Sequence, residues 1–452
     1  MDKTDGRILI IPCPLQGHAA PFMKLSHQIT KLGTNVTFLT TDLIRARLTE
    51  SERWDHGTRV ISIPDGPEFQ SGCKDPKKLH ESLERVMPGY LENLLKEANH
   101  QSSKMDDRIC GVIVDAPLGW MMEIPKKMGI KVAVFWCSTP GCLALKFKIQ
   151  ELLQSKVIDT DGTPLKNVNI QVLPSLPAMA TTDLVWYFPS DPNTQKSMYH
   201  VIKDIFHHMQ NADWILCNWF HELNPAASNL LPNILSIGPL LANGQSAGSF
   251  CSEDSTCLSW LDKQPKSSVV YVAFGSTSRF SQQQLDELAL GLELMGRPFL
   301  WVAWSGLKDG SSPAYTNEYT KRVADRGKIV DWAPQEAVLG HPSTACFVTH
   351  CGWSSFMESL SMGVPLLCWP YFGDQLYTRT CVCDAWRVGM WFKPDESGLV
   401  SRYEIKNRVE EVLCDGSVRE NVLRLKEMAR NSIKKGGSSL LNLEYVVKQM
   451  KC

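Results

Sequence analysis

The sequence has no excess of either charge and lacks any long apolar run. Its 452 residues include 47 Lys and Arg against 48 Asp and Glu, a formal net charge of -1. This balance gives no electrostatic attraction for a polyanion, so we expect no nucleic-acid partner. No apolar run reaches the length of about 18 residues that a spanning helix needs, and the polar start Met1 to Arg7 is unlike a signal peptide. We therefore expect no membrane span and a cytoplasmic location.

Paired cysteine motifs are missing as well. The chain has 15 cysteines, an odd number, spread from Cys13 to Cys452 with no CxxC pair. This pattern is typical of reduced, mostly buried thiols in an intracellular protein.

Several catalytic and cofactor motifs are absent. No GxGxxG follows the first predicted strand, and GxxxxGK[ST] does not occur, which excludes these dinucleotide and P-loop signatures. One Asp-x-Asp, Asp159-Thr160-Asp161, is of the kind that holds a metal on a diphosphate. It runs into Gly162, so we interpret it as a turn and predict no metal site.

What the sequence does contain is an alternation of short, wholly apolar runs with helical patterns. Strands that are apolar on both faces and alternate with helices indicate parallel sheets covered on both sides. The predicted strands of the first half are Ile8 to Pro12, Val36 to Thr40, Gly111 to Asp115 and Val132 to Phe135. Its predicted helices are Met23 to Ile29, Gly119 to Met128 and Leu143 to Leu153.

A small, polar segment, Ala242 to Ser249, marks a domain boundary. A second α/β series follows it, so we predict an α/β fold of two Rossmann-like parallel-sheet domains facing a cleft. The predicted strands of this series are Ser268 to Phe274, Phe299 to Val302, Lys328 to Val330, Ala345 to Thr349 and Pro365 to Cys368. Its predicted helices are Gln283 to Met295 and those beyond Tyr403.

The most informative stretch runs from Trp332 to Gln375. Within it, an apolar strand leads through a glycine turn into a helix, an arrangement in which free N–H groups and the hydroxyls of Ser354 and Ser355 can bind phosphate oxygens. Glu358 stands three residues after Ser355, so it is either half of a capping box or a carboxylate for ribose hydroxyls. Trp332 is either a core aromatic or a platform for a base.

This 44-residue stretch resembles the signature box of plant secondary-product UDP-glycosyltransferases of family 1, and the similarity extends over nearly the whole chain. The resemblance implies a UDP-glycosyltransferase of the GT-B fold. It implies an N-terminal acceptor-binding domain (1–240), a linker (241–258), a C-terminal UDP-sugar-binding domain (259–431) and a last helix that crosses back to the first domain (432–452).

The resemblance also implies donor-binding roles by position. Trp332 stacks on uracil beside the main chain of Ala333, and Gln335 and Glu358 hold the ribose. Asp374 and Gln375 bind the sugar, and a glutamine at this last position favours UDP-glucose. The family usually has asparagine where this chain has Ser354, so we expect weakened donor binding. The residues implied for the diphosphate are Ser276, His350, Trp353, Ser354 and Ser355.

His18 and Asp115 each follow or end a predicted strand of the first half. Taken alone, His18 is more often structural, and Asp115 is equally well explained as a helix cap. They match the catalytic histidine and the aspartate that orients it in the family. The resemblance therefore implies inverting, metal-independent transfer of glucose, with no cofactor besides the UDP-glucose co-substrate.

The acceptor is the part of the expected function that the sequence determines least. We expect a small lipophilic plant metabolite, either phenolic (flavonoid) or terpenoid, contacted by His18, Trp120, Trp136, Trp186 and Gly373, although core packing explains most aromatics of this half. Many flavonoid-active members carry a threonine where this chain has Cys137-Ser138. Transfer to oxygen, transfer to carbon and a catalytically weak UDP-sugar-binding protein stay open. We expect a monomer.

Overall fold

The computed structural model describes residues 6–48, 54, 57–67, 76–101, 107–242, 253–304, 307 and 316–451. The chain forms two compact units. The first unit comprises Met1–Pro174, Ala178–Phe250 and Asn431–Cys452, and the second comprises Ser175–Pro177 and Cys251–Arg430. Of the predicted linker, residues 243–252 lie outside the described residues.

The first unit is built on a seven-stranded sheet in which every neighbouring pair is parallel. Its central strands are buried along nearly their whole length, because helices cover both faces. The strands of this unit are β1 Arg7–Ile11, β2 Asn35–Thr41, β3 Thr58–Ile63, β4 Ile109–Asp115, β5 Lys131–Trp136, β6 Asn169–Ile170, β7 Met179–Ala180, β8 Trp214–Cys217 and β9 Ile234–Ser236. The order in the sheet is β3-β2-β1-β4-β5-β8-β9, and β6 and β7 form a separate antiparallel pair.

The helices of the first unit start and end at other residues than the sequence predicts. The first helix begins at Gln16, so Pro21 lies inside it. The helix predicted from Gly119 is a 3-10 helix followed by a short α-helix, and the one predicted from Leu143 is two short helices. The α-helices before the linker are Gln16–Lys31, Asp42–Leu48, Pro76–Lys96, Glu123–Lys127, Pro140–Leu145, Ile149–Gln154, Pro192–Met209 and Pro225–Ser228. The 3-10 helices are Ala116–Met122, Thr181–Asp183 and His221–Leu223, and Glu97–Gln101 is a π-helix.

The second unit has a six-stranded sheet that is also parallel throughout. Its strands are β10 Val269–Ala273, β11 Phe299–Val302, β12 Gly327–Val330, β13 Thr344–Thr349, β14 Leu366–Cys368 and β15 Gly389–Trp391. They follow the order β12-β11-β10-β13-β14-β15. The prediction of two parallel-sheet α/β domains is therefore confirmed.

Helices surround the second sheet, and the chain then returns to the first unit. The last helix packs Leu443, Val446 and Val447 into the core of the first unit. Among the described residues, no helix is both long and apolar enough to cross a bilayer. The remaining helices are Thr256–Leu261, Gln282–Leu294, Asn317–Arg322, Gln335–Gly340, Trp353–Met362, Asp374–Thr380, the π-helix Cys381–Ala385, Arg402–Cys414, Gly416–Ser432 and Ser438–Gln449.

Each sheet has one point at which the strand order reverses. In the first sheet this point lies between β1 and β4, and in the second between β10 and β13. Chain segments that leave neighbouring parallel strands in opposite directions open a crevice beyond their carboxyl ends, where ligands bind in such folds. We therefore expect ligands to bind at the segments that follow these four strands.

Candidate active site

His18 and Asp115 meet at the reversal point of the first sheet. Asp115 is the last residue of β4, and His18 lies in the first turn of the helix that follows β1. Nδ1 of His18 is 2.9 Å from Oδ2 of Asp115, and the same oxygen accepts a hydrogen bond of 3.0 Å from the backbone N–H of Cys13. Asp115 is fully buried, whereas the His18 side chain keeps 30% of its exposure.

The alternative interpretation of Asp115 as a helix cap is wrong. Asp115 stands at the N-cap position of the 3-10 helix Ala116–Met122, but its side chain makes no capping hydrogen bond. The carboxylate is turned toward His18 and Cys13 instead.

Two opposing effects set the charge of His18. Burial lowers the pKa of its imidazole, but the negative charge of Asp115 and the contact with Cys137 raise it more, and the result lies well above 6.5. Because the carboxylate accepts at Nδ1, the neutral ring carries its proton there and keeps the lone pair on Nε2. Burial raises the pKa of the neighbouring Cys13 to about 12, so this residue stays a thiol.

Cys137 is a third side chain at this point. It follows β5, which is the neighbour of β4, and its Sγ lies 3.5 Å from Nδ1 of His18. The sequence marks position 137 as a departure from relatives with threonine, but it gives no indication of this contact. One ligand atom each from His18, Asp115 and Cys137 lies within 4.8 Å of the others.

The three tryptophans expected at the acceptor differ in burial. Trp120 lies in the 3-10 helix directly after Asp115, half-buried, and its Nε1 is buried without a hydrogen-bond partner among the described residues. Trp136 is 6% exposed and donates to the carbonyl of Thr139 at 3.2 Å. Trp186 has no exposed surface, and its indole N–H donates to the carbonyl of Gly162 at 2.8 Å. Trp186 is thus a core residue, and we leave it out of the acceptor site.

In the second unit, His350 is held between two glycines at the reversal point of the sheet. Gly275 follows β10 and has a positive φ of 68°, and Gly352 follows β13. A Cβ atom at Gly275 would lie 2.7 Å from Nε2 of His350, and one at Gly352 would overlap the same atom. A side chain at either position would therefore displace the His350 ring. Burial lowers the pKa of His350 to about 4, and its Nδ1 has no partner in the described part of the chain.

The helix Trp353–Met362 begins immediately after this ring. Its N-cap is Gly352, which offers no side chain to the free N–H groups of the first turn. Ser355 is thus the third residue of the helix and not its cap, so the capping-box interpretation of Ser355 and Glu358 is wrong. Ser354 is half-buried, and the side chains of Trp353, Ser355 and Glu358 are buried.

Gln335 connects this helix to the rest of the sheet edge. Its amide nitrogen donates to Oγ of Ser355 at 2.9 Å and to Oε2 of Glu358 at 2.6 Å. Its amide oxygen accepts from the hydroxyl of Tyr271 at 3.4 Å. The orientation of the Glu358 carboxylate is fixed through this amide.

The other predicted donor residues lie on segments that follow β10, β12 and β14, at the same edge of the parallel sheet. Trp332 is half-buried, with its carbonyl accepting from the N–H of Asp254 at 2.9 Å. Oε1 of Gln375 accepts the backbone N–H groups of Tyr371 and Phe372 at 2.9 and 3.2 Å. Ser276 and Asp374 are half-buried, and Ala333 and Gly373 are buried, Gly373 as the N-cap of Asp374–Thr380.

The Asp-x-Asp segment and the cysteines can also be compared with their predictions. Asp159 accepts the N–H groups of Asp161 and Thr163 at 2.9 and 2.8 Å, so Asp159-Thr160-Asp161 is the predicted turn. Asp161 pairs with Lys196 at 2.7 Å. The expectation of reduced thiols is wrong at Cys110, which is disulfide-bonded. The other described cysteines form no disulfide.

Comparisons with known proteins show which family the chain belongs to. A family model described as UDP-glucoronosyl and UDP-glucosyl transferase matches residues 196–449. UDP-glycosyltransferase 83A1 of Arabidopsis thaliana is 38% identical, with 100% of this chain and 98% of the relative aligned. A 7-deoxyloganetin glucosyltransferase of Catharanthus roseus is 31% identical over 98% of this chain and 96% of its own.

The same similarity holds for solved structures. The structure of Phytolacca americana UGT2 complexed with UDP-2fluoro-glucose and pterostilbene superposes with a TM-score of 0.84 at 25% identity, covering 99% of this chain and 100% of that one. The chain therefore belongs to the UDP-glucoronosyl and UDP-glucosyl transferase family, as a plant UDP-glycosyltransferase of family 1 with the GT-B fold, whose co-substrate is a UDP-sugar.

Proposed function

We propose that this protein is an inverting, metal-independent UDP-glucose-dependent O-glucosyltransferase that acts on a small lipophilic plant metabolite. The observation that carries the proposal is the pair of His18 and Asp115, with a nitrogen–oxygen distance of 2.9 Å at the reversal point of the first sheet. We assign acceptor binding to the first unit and donor binding to the second.

His18 acts as the general base. An acceptor hydroxyl is a weak nucleophile at neutral pH, so its proton must leave as the oxygen attacks. Asp115 binds Nδ1–H and so leaves Nε2 to take this proton, and its negative charge stabilises the imidazolium that forms. The oxygen attacks the anomeric carbon from the face opposite to UDP, which departs with the electron pair of the broken bond. An α-linked donor then gives a β-glucoside.

The diphosphate is bound without a fixed positive charge from the signature box. The stretch Trp332 to Gln375 contains no lysine or arginine. The uncapped N-terminus of the helix Trp353–Met362 supplies N–H groups and a positive dipole end. The hydroxyls of Ser276, Ser354 and Ser355 and the neutral ring of His350 add hydrogen bonds, which stabilise the charge on departing UDP.

The nucleoside and the sugar are bound by the neighbouring segments. Trp332 stacks on uracil beside the backbone of Ala333, and Glu358, oriented by Gln335, accepts from the ribose hydroxyls. Asp374 and Gln375 bind the sugar. The name of the Catharanthus roseus relative, a glucosyltransferase, supports glucose as the sugar.

The acceptor binds beside His18. Trp120 presents apolar surface and a buried indole N–H without a partner among the described residues, which suits a molecule that is mostly apolar and carries an oxygen. We place Trp136 at this acceptor as well. The 7-deoxyloganetin and pterostilbene of the similar proteins support a small organic acceptor.

Product formation tests the proposal. UDP-glucose is incubated with a panel of hydroxylated plant metabolites in the presence of a chelator, and glucosides are detected by mass spectrometry. Wild-type protein should form an acid-labile β-O-glucoside, and a His18→Ala variant should lose at least about 100-fold in turnover. An acid-stable product would indicate transfer to carbon.

Ser354 favours a second hypothesis, a catalytically weak UDP-sugar-binding protein, because serine lacks the amide donor of asparagine. This hypothesis holds if the wild type binds UDP but His18→Ala changes turnover on no acceptor, and in that case our proposal is wrong.

A further inference from the structure

The group of His18, Asp115 and Cys137 has the chemistry of a zinc ligand set. An imidazole, a carboxylate and a thiol provide the nitrogen, oxygen and sulfur ligands that Zn²⁺ prefers. The three ligand atoms lie within 4.8 Å of one another. Asp115 ends β4, Cys137 follows β5, and His18 lies in the helix that follows β1; these three strands are neighbours in the sheet. We propose that these three residues form a Zn²⁺ site which, when it is occupied, prevents His18 from acting as the base.

Two of the three distances between the ligand atoms lie close to those around a tetrahedral ion. With Zn–S of about 2.3 Å and Zn–N of about 2.05 Å, tetrahedral geometry separates the sulfur and the nitrogen by about 3.5 Å. The distance between Sγ of Cys137 and Nδ1 of His18 is 3.5 Å. Tetrahedral Zn–N and Zn–O bonds separate the two ligand atoms by about 3.4 Å. Nδ1 and Oδ2 of Asp115 are 2.9 Å apart, so the ion needs to widen this contact by only about half an ångström.

The surroundings provide access and support. His18 is the partly exposed member of the group and Cys137 is half-buried, so an ion can enter from the side of the acceptor. Oδ2 of Asp115 accepts a hydrogen bond from the N–H of Cys13, and Oδ1 is buried without a partner in the described part of the chain. The fourth position of the ion is left for water, as in zinc sites with three protein ligands.

Zinc at this place removes the base by changing the tautomer of His18. Binding displaces the thiol proton of Cys137 to solvent and replaces the proton on Nδ1 of His18. The proton of the neutral ring then resides on Nε2, the nitrogen that has to accept the hydroxyl proton. A metal-bound imidazole with Nε2–H cannot act as a general base, so turnover should fall while the UDP-sugar still binds.

Cobalt absorption tests the site itself, independently of catalysis. Metal is first removed from the intact protein with a chelator, and the chelator is then removed as well. The protein is titrated with Co²⁺, and the thiolate-to-cobalt charge-transfer absorption is recorded. Wild type should reach saturation at one equivalent, a Cys137→Ser variant should lose this band, and Cys414→Ser, which removes an exposed thiol, should keep it. A band that survives in Cys137→Ser, or the absence of a band in wild type, overturns the site. Thermal unfolding, and Cys137→Thr as a second variant, ensure that a folded protein is tested.

Inhibition tests the consequence for His18, which rests on the proposed function. Zn²⁺ should inhibit glucoside formation reversibly, and a chelator should restore it, whereas Mg²⁺ should have no effect because it prefers oxygen ligands. Inhibition is expressed relative to the metal-free rate of each protein. The Zn²⁺ concentration that gives half-inhibition should rise at least about tenfold in Cys137→Ser, since even the loss of a residue that hydrogen-bonds to a metal ligand lowers metal affinity about 10–100-fold. Equal inhibition of both proteins would overturn the inference. If only the proposed function is wrong, the metal-free protein will show no turnover, but Co²⁺ will still give the absorption band.

Discussion

Replacing Asp115 with asparagine separates the two tasks of this carboxylate, orientation and charge. One oxygen, Oδ2, accepts from both Nδ1 of His18 and the N–H of Cys13. In the variant, the Cys13 N–H will hold the new side-chain amide with its oxygen facing both donors. Asp115→Asn should therefore preserve the ring orientation and the tautomer of His18, and it should remove only the negative charge.

The size of the loss follows from the charge separation. The hydrogen-bonded atoms are 2.9 Å apart, and the centres of the two delocalised charges are about 4 Å apart, so their attraction is about 4 kcal/mol at an effective dielectric constant of about 20. This attraction exists only once His18 has accepted the proton, so its loss falls on the transition state. At alkaline pH, where the ring is neutral in both proteins, it corresponds to a decrease in kcat/KM of about 10³-fold.

The pH dependence provides a second readout. The base must be neutral, so the raised pKa of His18 places the acid limb of the rate at higher pH than an ordinary histidine would give. In Asp115→Asn, burial acts on His18 without the opposing charge, so the acid limb should move to lower pH. The assay is glucoside formation with a chelator from about pH 5 to about pH 9, with thermal unfolding to confirm folding. A variant that retains more than a tenth of wild-type kcat/KM with an unmoved acid limb would refute the reasoning.

Three further predictions concern the second unit. Ser354→Asn should lower the KM for UDP-glucose about tenfold or more, because a hydrogen bond to a charged group contributes about 1.5–3 kcal/mol; an unchanged KM would contradict it. Glu358→Gln should weaken UDP binding, measured calorimetrically, at least about tenfold, whereas Glu336→Gln, the matched control, should change it less than about twofold. Burial lowers the pKa of His350 to about 4, and the unfolded value is about 6.5, so protons bind the unfolded chain first. The stability contribution is complete above about pH 6.5, and at most about 3 kcal/mol is lost as the pH falls to about 4; denaturant unfolding should show a smaller loss in His350→Gln.

Much of the fold could be predicted from the sequence, because the strands of both sheets are apolar on both faces and stand out as continuous runs. β3, β8, β9 and β15 were not predicted. Only one of the six residues of β3, Ile63, is buried, and the other three strands have only three or four residues each. The start of the first helix was placed too late because Pro21 suggests a turn, yet a helix can include a proline at the loss of one hydrogen bond.

The candidate site was predictable in its residue types but not in its contacts. Periodicity marks where each strand ends, but it does not reveal which strands are neighbours. The approach of Cys137 to His18 depends on the order β1-β4-β5, and the enclosure of His350 depends on two segments far apart in the chain, at Gly275 and Gly352. Such contacts arise only from the tertiary structure.

The two histidines at the reversal points have pKa values that are shifted in opposite directions from about 6.5. A buried carboxylate raises the pKa of His18, whereas His350, enclosed by glycines, has a pKa of about 4. As the pH falls, His18 therefore gains its proton first, and His350 stays neutral until about pH 4. In the proposed mechanism, mild acid stops the chemistry without releasing the donor. A complex with intact UDP-glucose should therefore accumulate near about pH 5 with both substrates present, which makes acidification a means of trapping the enzyme before glycosyl transfer.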